Sequence, residues 1–170
     1  MLFKFKRTKA MDPLQVAMTG VRMGERYLQI FCSDATLTRG LAMKTGLSGV
    51  AALAAPDAGQ ARLASKAAGK AGVLIDVKVT PPTTLTWDDA AFDMVVIDNT
   101  GGSFAALGAA ERDRCLADVR RVLRQGGRIE LIERADATSV AEAALSAARF
   151  KPVRTLAERD GFRFVEGLNT

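Results

Sequence analysis

Short apolar runs alternate with longer amphipathic stretches along most of this chain. Continuous apolar runs of this length are typical of parallel strands that are covered on both faces. The runs predict strands over residues 27–32, 50–55, 73–79, 92–97 and 128–132. The last part of the chain predicts a hairpin, whose strands cover 151–156 and 162–165 around a turn at Arg159-Asp160-Gly161.

Helical patterns fill the gaps between these runs. Asp12-Pro13 is a helix-start signal, because Asp caps a first turn and Pro suits the first helical position. The predicted helices cover residues 14–18, 35–44, 57–70, 107–123 and 138–148. Strands that alternate with helices predict an α/β fold of the doubly wound, Rossmann-like kind. We expect a mostly parallel, seven-stranded sheet with a C-terminal antiparallel hairpin.

Length and composition favour a single domain over residues 12–170. The chain has 170 residues, of which 48% are hydrophobic and 25% are charged. No apolar run approaches the roughly 20 residues that span a bilayer, so no transmembrane segment is predicted. The first residues also lack the apolar stretch of a secretory signal. We therefore expect a cytoplasmic protein.

The net charge of +5 is concentrated before residue 12, and beyond that point 20 basic residues face 19 acidic ones. Residues 1–11 are thus predicted to form a basic N-terminal arm, whose cations are Lys4, Lys6, Arg7 and Lys9. Such an arm is either a solvated terminus or a contact for an anionic membrane, a nucleic acid or an acidic partner. Nucleic-acid binding by the domain is disfavoured, because no basic stripe is predicted along a helix and the chain has one Trp and one Tyr.

The residue types present exclude several kinds of chemistry. The chain has no histidine, which excludes a Ser-His-Asp hydrolase and a His-ligated zinc enzyme. Cys32 and Cys115 fall in a strand and a helix context and are expected to be reduced, partly buried thiols. No metal site is predicted. A dinucleotide-binding dehydrogenase is disfavoured, because no G-x-G-x-x-G follows the first strand.

Four phrases of the chain, in this order, resemble those of one family. They are GERYLQI at 24–30, LTWDDAAFDMVV at 85–96, VLRQGGR at 122–128 and the closing segment 150–167. Together with the order of elements, they resemble class I S-adenosylmethionine (SAM)-dependent methyltransferases over about residues 12–167. The resemblance implies SAM as the cofactor and a small molecule or a protein as the methyl acceptor.

The resemblance places the methionine part of the cofactor at the loop after the first strand. The family has an acid in that strand and a glycine-rich turn after it, and glycine lets the backbone approach the ligand. Here the acidic position is Gln29, and the glycine positions are Phe31, Ser33 and Ala35. The implied cofactor contacts of this loop are Gln29, Phe31, Ser33 and Asp34, whose carboxylate can accept from an ammonium group.

Three further loops complete the implied site. The ribose-binding acid of the family falls on Ala54 or Ala55, and Asp57 lies close enough to replace it or to cap the next helix. Thr80 and Pro81 occupy the loop that faces the adenine. After the fourth strand, Asp98 is the implied base and Asn99 the implied acceptor-positioning residue. The alternative for both is a polar turn that uses Asn and Gly for backbone reasons.

Two functions fit these residues. One is a small SAM-dependent methyltransferase, whose substrate lid comes from the N-terminal helix or from the second subunit of a homodimer. The other is a non-catalytic relative that keeps the fold as a binding or scaffolding module, because the three glycines and the ribose acid are replaced. The two functions predict opposite results for SAM binding.

Overall fold

The structure of the protein is a computed structural model that describes residues 12–170, so the predicted basic arm at 1–11 lies outside the described residues. The helices are α1 (Pro13–Met18), α2 (Ala35–Thr45), α3 (Ala58–Ala71), α4 (Ala109–Val122) and α5 (Ala141–Ala147). The strands are β1 (Arg26–Ile30), β2 (Val50–Ala55), β3 (Asp76–Val79), β4 (Phe92–Asn99), β5 (Leu123–Arg134), β6 (Val153–Arg159) and β7 (Phe162–Leu168). Over the described range, none of the helices combines the length and the apolar character needed to cross a membrane.

The seven strands form one sheet in the order β3-β2-β1-β4-β5-β7-β6. The strands from β3 to β5 pair in parallel, and β7 is antiparallel to both β5 and β6. Asp160 and Gly161 join β6 to β7 with φ angles of 52° and 88°, as a two-residue turn between twisted strands requires. The predicted doubly wound, mostly parallel sheet with a C-terminal antiparallel hairpin is confirmed.

Helices cover the sheet on both faces. On one face, α4 and α5 bury Leu116 and Leu145 against the central strands. On the other face, α1 and α2 bury Val16 and Leu41 against the sheet, and Ala64 of α3 packs on β2. Burial contributes roughly 1.5–3 kcal/mol for each large apolar side chain. The two helical layers therefore hold the carboxyl ends of the strands in fixed positions.

Several element boundaries differ from the sequence prediction, most of all at β5, which begins at Leu123 rather than at residue 128. The physical cause is visible at β3 and at α5. β3 begins at Asp76 rather than at residue 73, because the chain is still leaving α3 at that point and Leu74 is 87% exposed. α5 begins at Ala141 rather than at residue 138, because the loop before it is held by the Glu133 carboxylate, which accepts from the backbone N–H of Val140. In both cases a tertiary contact or exposure overrides the local pattern.

Candidate functional site

The strand order reverses between β1 and β4, since β2 and β3 lie on one side of β1 and β5 lies beyond β4. In an open α/β sheet, a ligand binds outside the carboxyl ends of the strands at this switch point. The crevice there, which we call the switch-point crevice, is bordered by the segments that follow these strands, at residues 31–34, 56–57, 80–84 and 100–108. The structure places every predicted site residue on these loops or at the strand ends that lead into them.

Phe31 stands at the first family glycine position and is a core residue. Its φ of 67° lies in the left-handed region, which glycine adopts readily and other residues rarely. The side chain is 2% exposed and belongs to the core cluster that includes Leu85 and Phe104, from the loops after β3 and β4. The backbone thus keeps a turn that suits glycine, while an aromatic ring is buried at the crevice.

Three consecutive backbone N–H groups of the first loop are taken by the protein's own side chains. Cys32 N donates to Oε1 of Gln60 at 2.7 Å. Ser33 N and Asp34 N donate to Oδ2 of Asp98 at 2.8 and 3.1 Å. Loops that bind anionic or polar ligands do so through such N–H groups. Here each of the three already has an internal acceptor.

Asp98 joins the loop after β1 to the loop after β4. Besides the two loop amides, its Oδ1 accepts from the backbone N–H of Thr100 at 3.1 Å and from its hydroxyl at 2.6 Å. Complete burial raises the pKa of Asp98, while the hydrogen bonds from Thr100, Ser33 and Asp34 lower it. In this geometry the carboxyl group is a structural acceptor, and its role as a base stays a prediction.

Asn99 folds the loop after β4 on itself. Its Oδ1 accepts from the backbone N–H groups of Phe104 and Ala105, both at 3.0 Å. The same loop contacts the loop after β1, because a Cβ added to Gly101 would lie only 2.6 Å from Oγ of Ser33. The two loops that border the crevice are thus in direct contact. The predicted role of Asn99 in positioning an acceptor stays a prediction.

Gln29 supports the turn at Phe31. Its Nε2 donates to the Phe31 carbonyl oxygen at 2.8 Å and to Oγ1 of Thr38 at 3.0 Å. A carboxylate cannot donate, so the family's acid at this position makes different contacts. The Gln29 Oε1 is buried and has no hydrogen-bond partner in the described part of the chain.

The loops after β2 and β3 carry the remaining predicted contacts. Ala55 is buried, and its carbonyl oxygen accepts from Thr80 N at 2.9 Å. Asp57 caps α3 by accepting from Gln60 N at 2.9 Å, which is the alternative that the sequence left open. Thr80 donates its hydroxyl within its own loop, and Pro81 is exposed. The bidentate acid that holds a ribose in the family has no equivalent at Ala55.

Two crevice residues were not predicted from the sequence. Gln60 follows Asp57 by three positions, the spacing of a capping box. That spacing signals a helix start, but it does not show that the side chain turns to the Cys32 amide. Phe104 is the other residue, and its signal is a large apolar side chain within a polar, glycine-containing loop.

The fold and the crevice agree with a match to a known family. The profile of the family described as "Methyltransferase domain" matches residues 28–131. That segment is more than half of the chain, and it runs from β1 into β5 across the switch-point crevice. The chain belongs to this methyltransferase domain family, and the resemblance to class I SAM-dependent methyltransferases is confirmed.

The curated relatives that the chain matches at low identity share one name. The ubiquinone/menaquinone biosynthesis C-methyltransferase UbiE of Hydrogenovibrio crunogenus is 27% identical over 120 residues, which are 69% of this chain and 45% of the relative. The UbiE protein of Cupriavidus necator is 25% identical over 144 residues, which are 85% of this chain and 57% of the relative. The chain thus spans about half the length of the curated relatives that it matches.

Solved structures share the fold. A SAM-dependent methyltransferase from Aquifex aeolicus superposes with a TM-score of 0.78 at 14% identity, covering 94% of this chain and 90% of that one. A SAM-dependent methyltransferase from Methanosarcina mazei superposes with a TM-score of 0.65 at 19% identity, covering 94% of this chain and 99% of that one. At these identities the likeness concerns the fold alone.

Family membership implies SAM as the cofactor, but the residues of the crevice do not fit it in the family's manner. The ring of Phe31 is buried where a glycine would leave room for the ligand. The amides of the first loop are bound to Gln60 and Asp98. An alanine, Ala54 or Ala55, stands at the position that the sequence resemblance assigns to the ribose acid. The crevice thus departs from the family's pattern at the first glycine position, at the loop amides and at the position assigned to the ribose acid.

Proposed function

We propose that this chain is a non-catalytic member of the methyltransferase family, which serves as a binding module and does not bind SAM in the switch-point crevice. The observation that carries this proposal is the burial of Phe31, 2% exposed, at the first glycine position. Removing a buried ring from a packed core leaves a cavity, which costs roughly 3–5 kcal/mol. A cytoplasmic location is part of the proposal.

Hydrogen bonds add to the cost of opening the crevice. A ligand that needs the first-loop amides must displace Asp98 from Ser33 N and Asp34 N. Hydrogen bonds to a charged group contribute roughly 1.5–3 kcal/mol each. Binding with micromolar affinity releases only about 8 kcal/mol. Displacing Asp98 from both amides costs roughly 3–6 kcal/mol. This cost is comparable with the free energy of micromolar binding, so the internal hydrogen bonds remove much of the affinity that an open crevice would have.

A second candidate is SAM-dependent methyl transfer to a small molecule or a protein. It is favoured by the family match over residues 28–131 and by the left-handed backbone of Phe31, a conformation that glycine adopts readily. Under this candidate, Asp98 is the proposed base and Asn99 positions the acceptor, and both must first leave their internal hydrogen bonds. A lid from α1 or from the second subunit of a homodimer belongs to the same candidate.

Calorimetric titration with SAM and S-adenosylhomocysteine separates the two candidates. The proteins are the full chain, the Phe31→Gly variant and a Phe150→Ala control, which removes a buried ring of the same core cluster beside Gly167. We expect no binding to the wild type or the control at millimolar ligand, and measurable binding to Phe31→Gly. Micromolar binding to the wild type, about −8 kcal/mol, would overturn the proposal and favour methyl transfer.

A further inference from the structure

The helices α1, α2 and α3 form a layer whose charges have one sign. They contain five basic residues and no Asp or Glu, and we call these five the cationic helical face: Arg39, Lys44, Arg62, Lys66 and Lys70. On α3, Arg62, Lys66 and Lys70 are four positions apart, so they lie on one side of the helix. This stripe corrects the sequence prediction that no helix carries one.

The side chains of the cationic helical face form no ion pair within residues 12–170. Each ion pair found in residues 12–170 lies on the strands, on α4 or in a connecting loop, and none includes these five side chains. Asp12, Asp34 and Asp57 cap the N-termini of the three helices, and the buried Glu130 of β5 interacts electrostatically with Lys44 of α2. On the opposite layer, α4 mixes Arg114 with Glu111. The positive field therefore belongs to one layer of the molecule.

Apolar side chains lie among these cations. A groove of about 490 Å³ among the three helices is lined by Val16 and Met43 together with Arg39 and Lys70. Leu14, which follows the groove residue Pro13 on α1, is 67% exposed, and Met43 is 56% exposed. Exposed leucine and methionine side chains among lysines and arginines are typical of a surface that rests in a bilayer interface.

The sequence immediately before α1 has the same mixture of residues. Residues 1–11 end directly before the Asp12 cap of α1, and Pro13 lines the groove. Their basic and large apolar residues are Lys4, Lys6, Arg7 and Lys9 with Leu2, Phe3 and Phe5. Cations and apolar side chains are thus available immediately before the helical layer.

We propose that the cationic helical face docks on an anionic phospholipid membrane surface, with Leu14 and Met43 contacting the bilayer interface. Cations alone would suit a nucleic acid or an acidic protein equally well. The exposed apolar side chains between them favour a lipid surface, which offers both phosphate charge and an apolar layer within a few ångström. This inference does not depend on whether the switch-point crevice binds SAM.

Vesicle flotation of the full chain tests the proposal. The probes are phosphatidylcholine vesicles with and without phosphatidylglycerol, at low and high salt. We expect binding only to the anionic vesicles, and weaker binding at high salt because the Debye length shortens. Each cation near an anionic surface strengthens binding by roughly fivefold, so reversing the charge in Lys70→Glu should weaken binding by more than that. Leu14→Ser should weaken it without changing the salt dependence.

The matched control is Arg114→Glu, which makes the same charge change on an exposed residue of the opposite layer. We expect it to bind anionic vesicles as the wild type does. If Lys70→Glu and Arg114→Glu weakened vesicle binding equally, binding would depend on net charge alone. That result would overturn the proposal that the cationic helical face docks on the membrane. So would a failure of the wild type to float with anionic vesicles, whether or not it binds duplex DNA or polyglutamate.

Discussion

Phe31 combines a left-handed backbone with a buried aromatic side chain. A non-glycine residue at φ 67° costs roughly 1–2 kcal/mol. Burial of a phenylalanine side chain contributes roughly 1.5–3 kcal/mol, and packing against neighbours adds to this. The burial therefore outweighs the strain, which explains how a bulky residue persists at a position where glycine is the easy choice.

A Phe31→Gly variant should lose about 1–4 kcal/mol of unfolding free energy, measured by urea denaturation. Truncating a buried Phe costs roughly 3–5 kcal/mol, and relief of the left-handed strain returns roughly 1–2 kcal/mol. The Phe150→Ala control, whose ring is 1% exposed, should show the full loss. Wild-type stability in Phe31→Gly would contradict the view that this ring fills the core at the crevice.

Glu130, like Phe31, has an energetically unfavourable environment, because its carboxyl group is buried without a hydrogen-bond partner among residues 12–170. It lies in β5 with 0% exposure. Burial raises the pKa of Glu130 well above its ordinary value, and Glu166 adds to the rise, while Arg128 and Lys44 oppose it. The side chain is therefore held in its neutral form over a wide range of pH.

This setting predicts a pH-dependent gain in stability for Glu130→Gln. Because the folded pKa is raised, the wild-type contribution is complete below the ordinary value of 4.5 and is lost as the pH rises through the folded pKa. The variant has no proton to lose. Its unfolding free energy relative to wild type should therefore increase as the pH rises above the ordinary value of 4.5, by up to roughly 1.4 kcal/mol per pH unit.

Denaturation at several pH values checks this, with the exposed Asp113→Asn as the control. We expect the difference between Asp113→Asn and wild type to stay nearly constant. A difference between Glu130→Gln and wild type that stays flat, or that falls with rising pH, would show that Glu130 is ionised in the folded protein.

At the scale of elements, the loops after β1 and β4 behave as one unit because Asp98 binds both. Its carboxyl group accepts from Ser33 N, Asp34 N and Thr100, which lie on two different crossovers. A carboxylate accepts on both oxygens, whereas an amide accepts on one and donates from the other. The hydrogen bonds that connect the two loops therefore require a carboxyl group at position 98.

An Asp98→Asn substitution should lower the unfolding free energy by roughly 2–4 kcal/mol, because a donor would then face the donors of one loop. Asp88→Asn, in the exposed lead-in to β4, is the matched control and should change stability by less than about 0.5 kcal/mol. Chemical denaturation of both variants gives the comparison. Equal stability of Asp98→Asn and wild type would contradict the claim that the Asp98 carboxyl group holds the two loops together.

Local signals predicted the elements better than the contacts between them. The run from Phe92 to Ile97 predicted a buried strand, and Pro56-Asp57 predicted a helix start, because both depend on residues that are adjacent in sequence. The bond from Cys32 N to Gln60 joins residues 28 positions apart. No local sequence pattern predicts such a long-range bond. The occupation of the first-loop amides by internal acceptors is therefore visible only in the structure.

At the scale of the whole molecule, the alternation of strands and helices predicted the doubly wound sheet, and the family phrases predicted where a ligand would bind. The replaced glycines indicated that this site had changed. They did not indicate whether the loop had opened or filled, because that depends on how Phe31 packs with residues far along the chain, such as Phe104. The sequence did not reveal the cationic helical face for a related reason. The net charge of residues 12–170 is near neutral because it sums the basic layer of α1, α2 and α3 with the mixed charges of the other elements.

Amide hydrogen exchange, read residue by residue by NMR, is the most direct test of a self-filled crevice. We expect the N–H groups of Cys32, Ser33 and Asp34 to be protected from exchange, and their signals to stay in place when SAM is added to millimolar concentration. Rapid exchange of these three amides, together with signal shifts that saturate at micromolar SAM, would contradict the closed crevice and point to a working cofactor site.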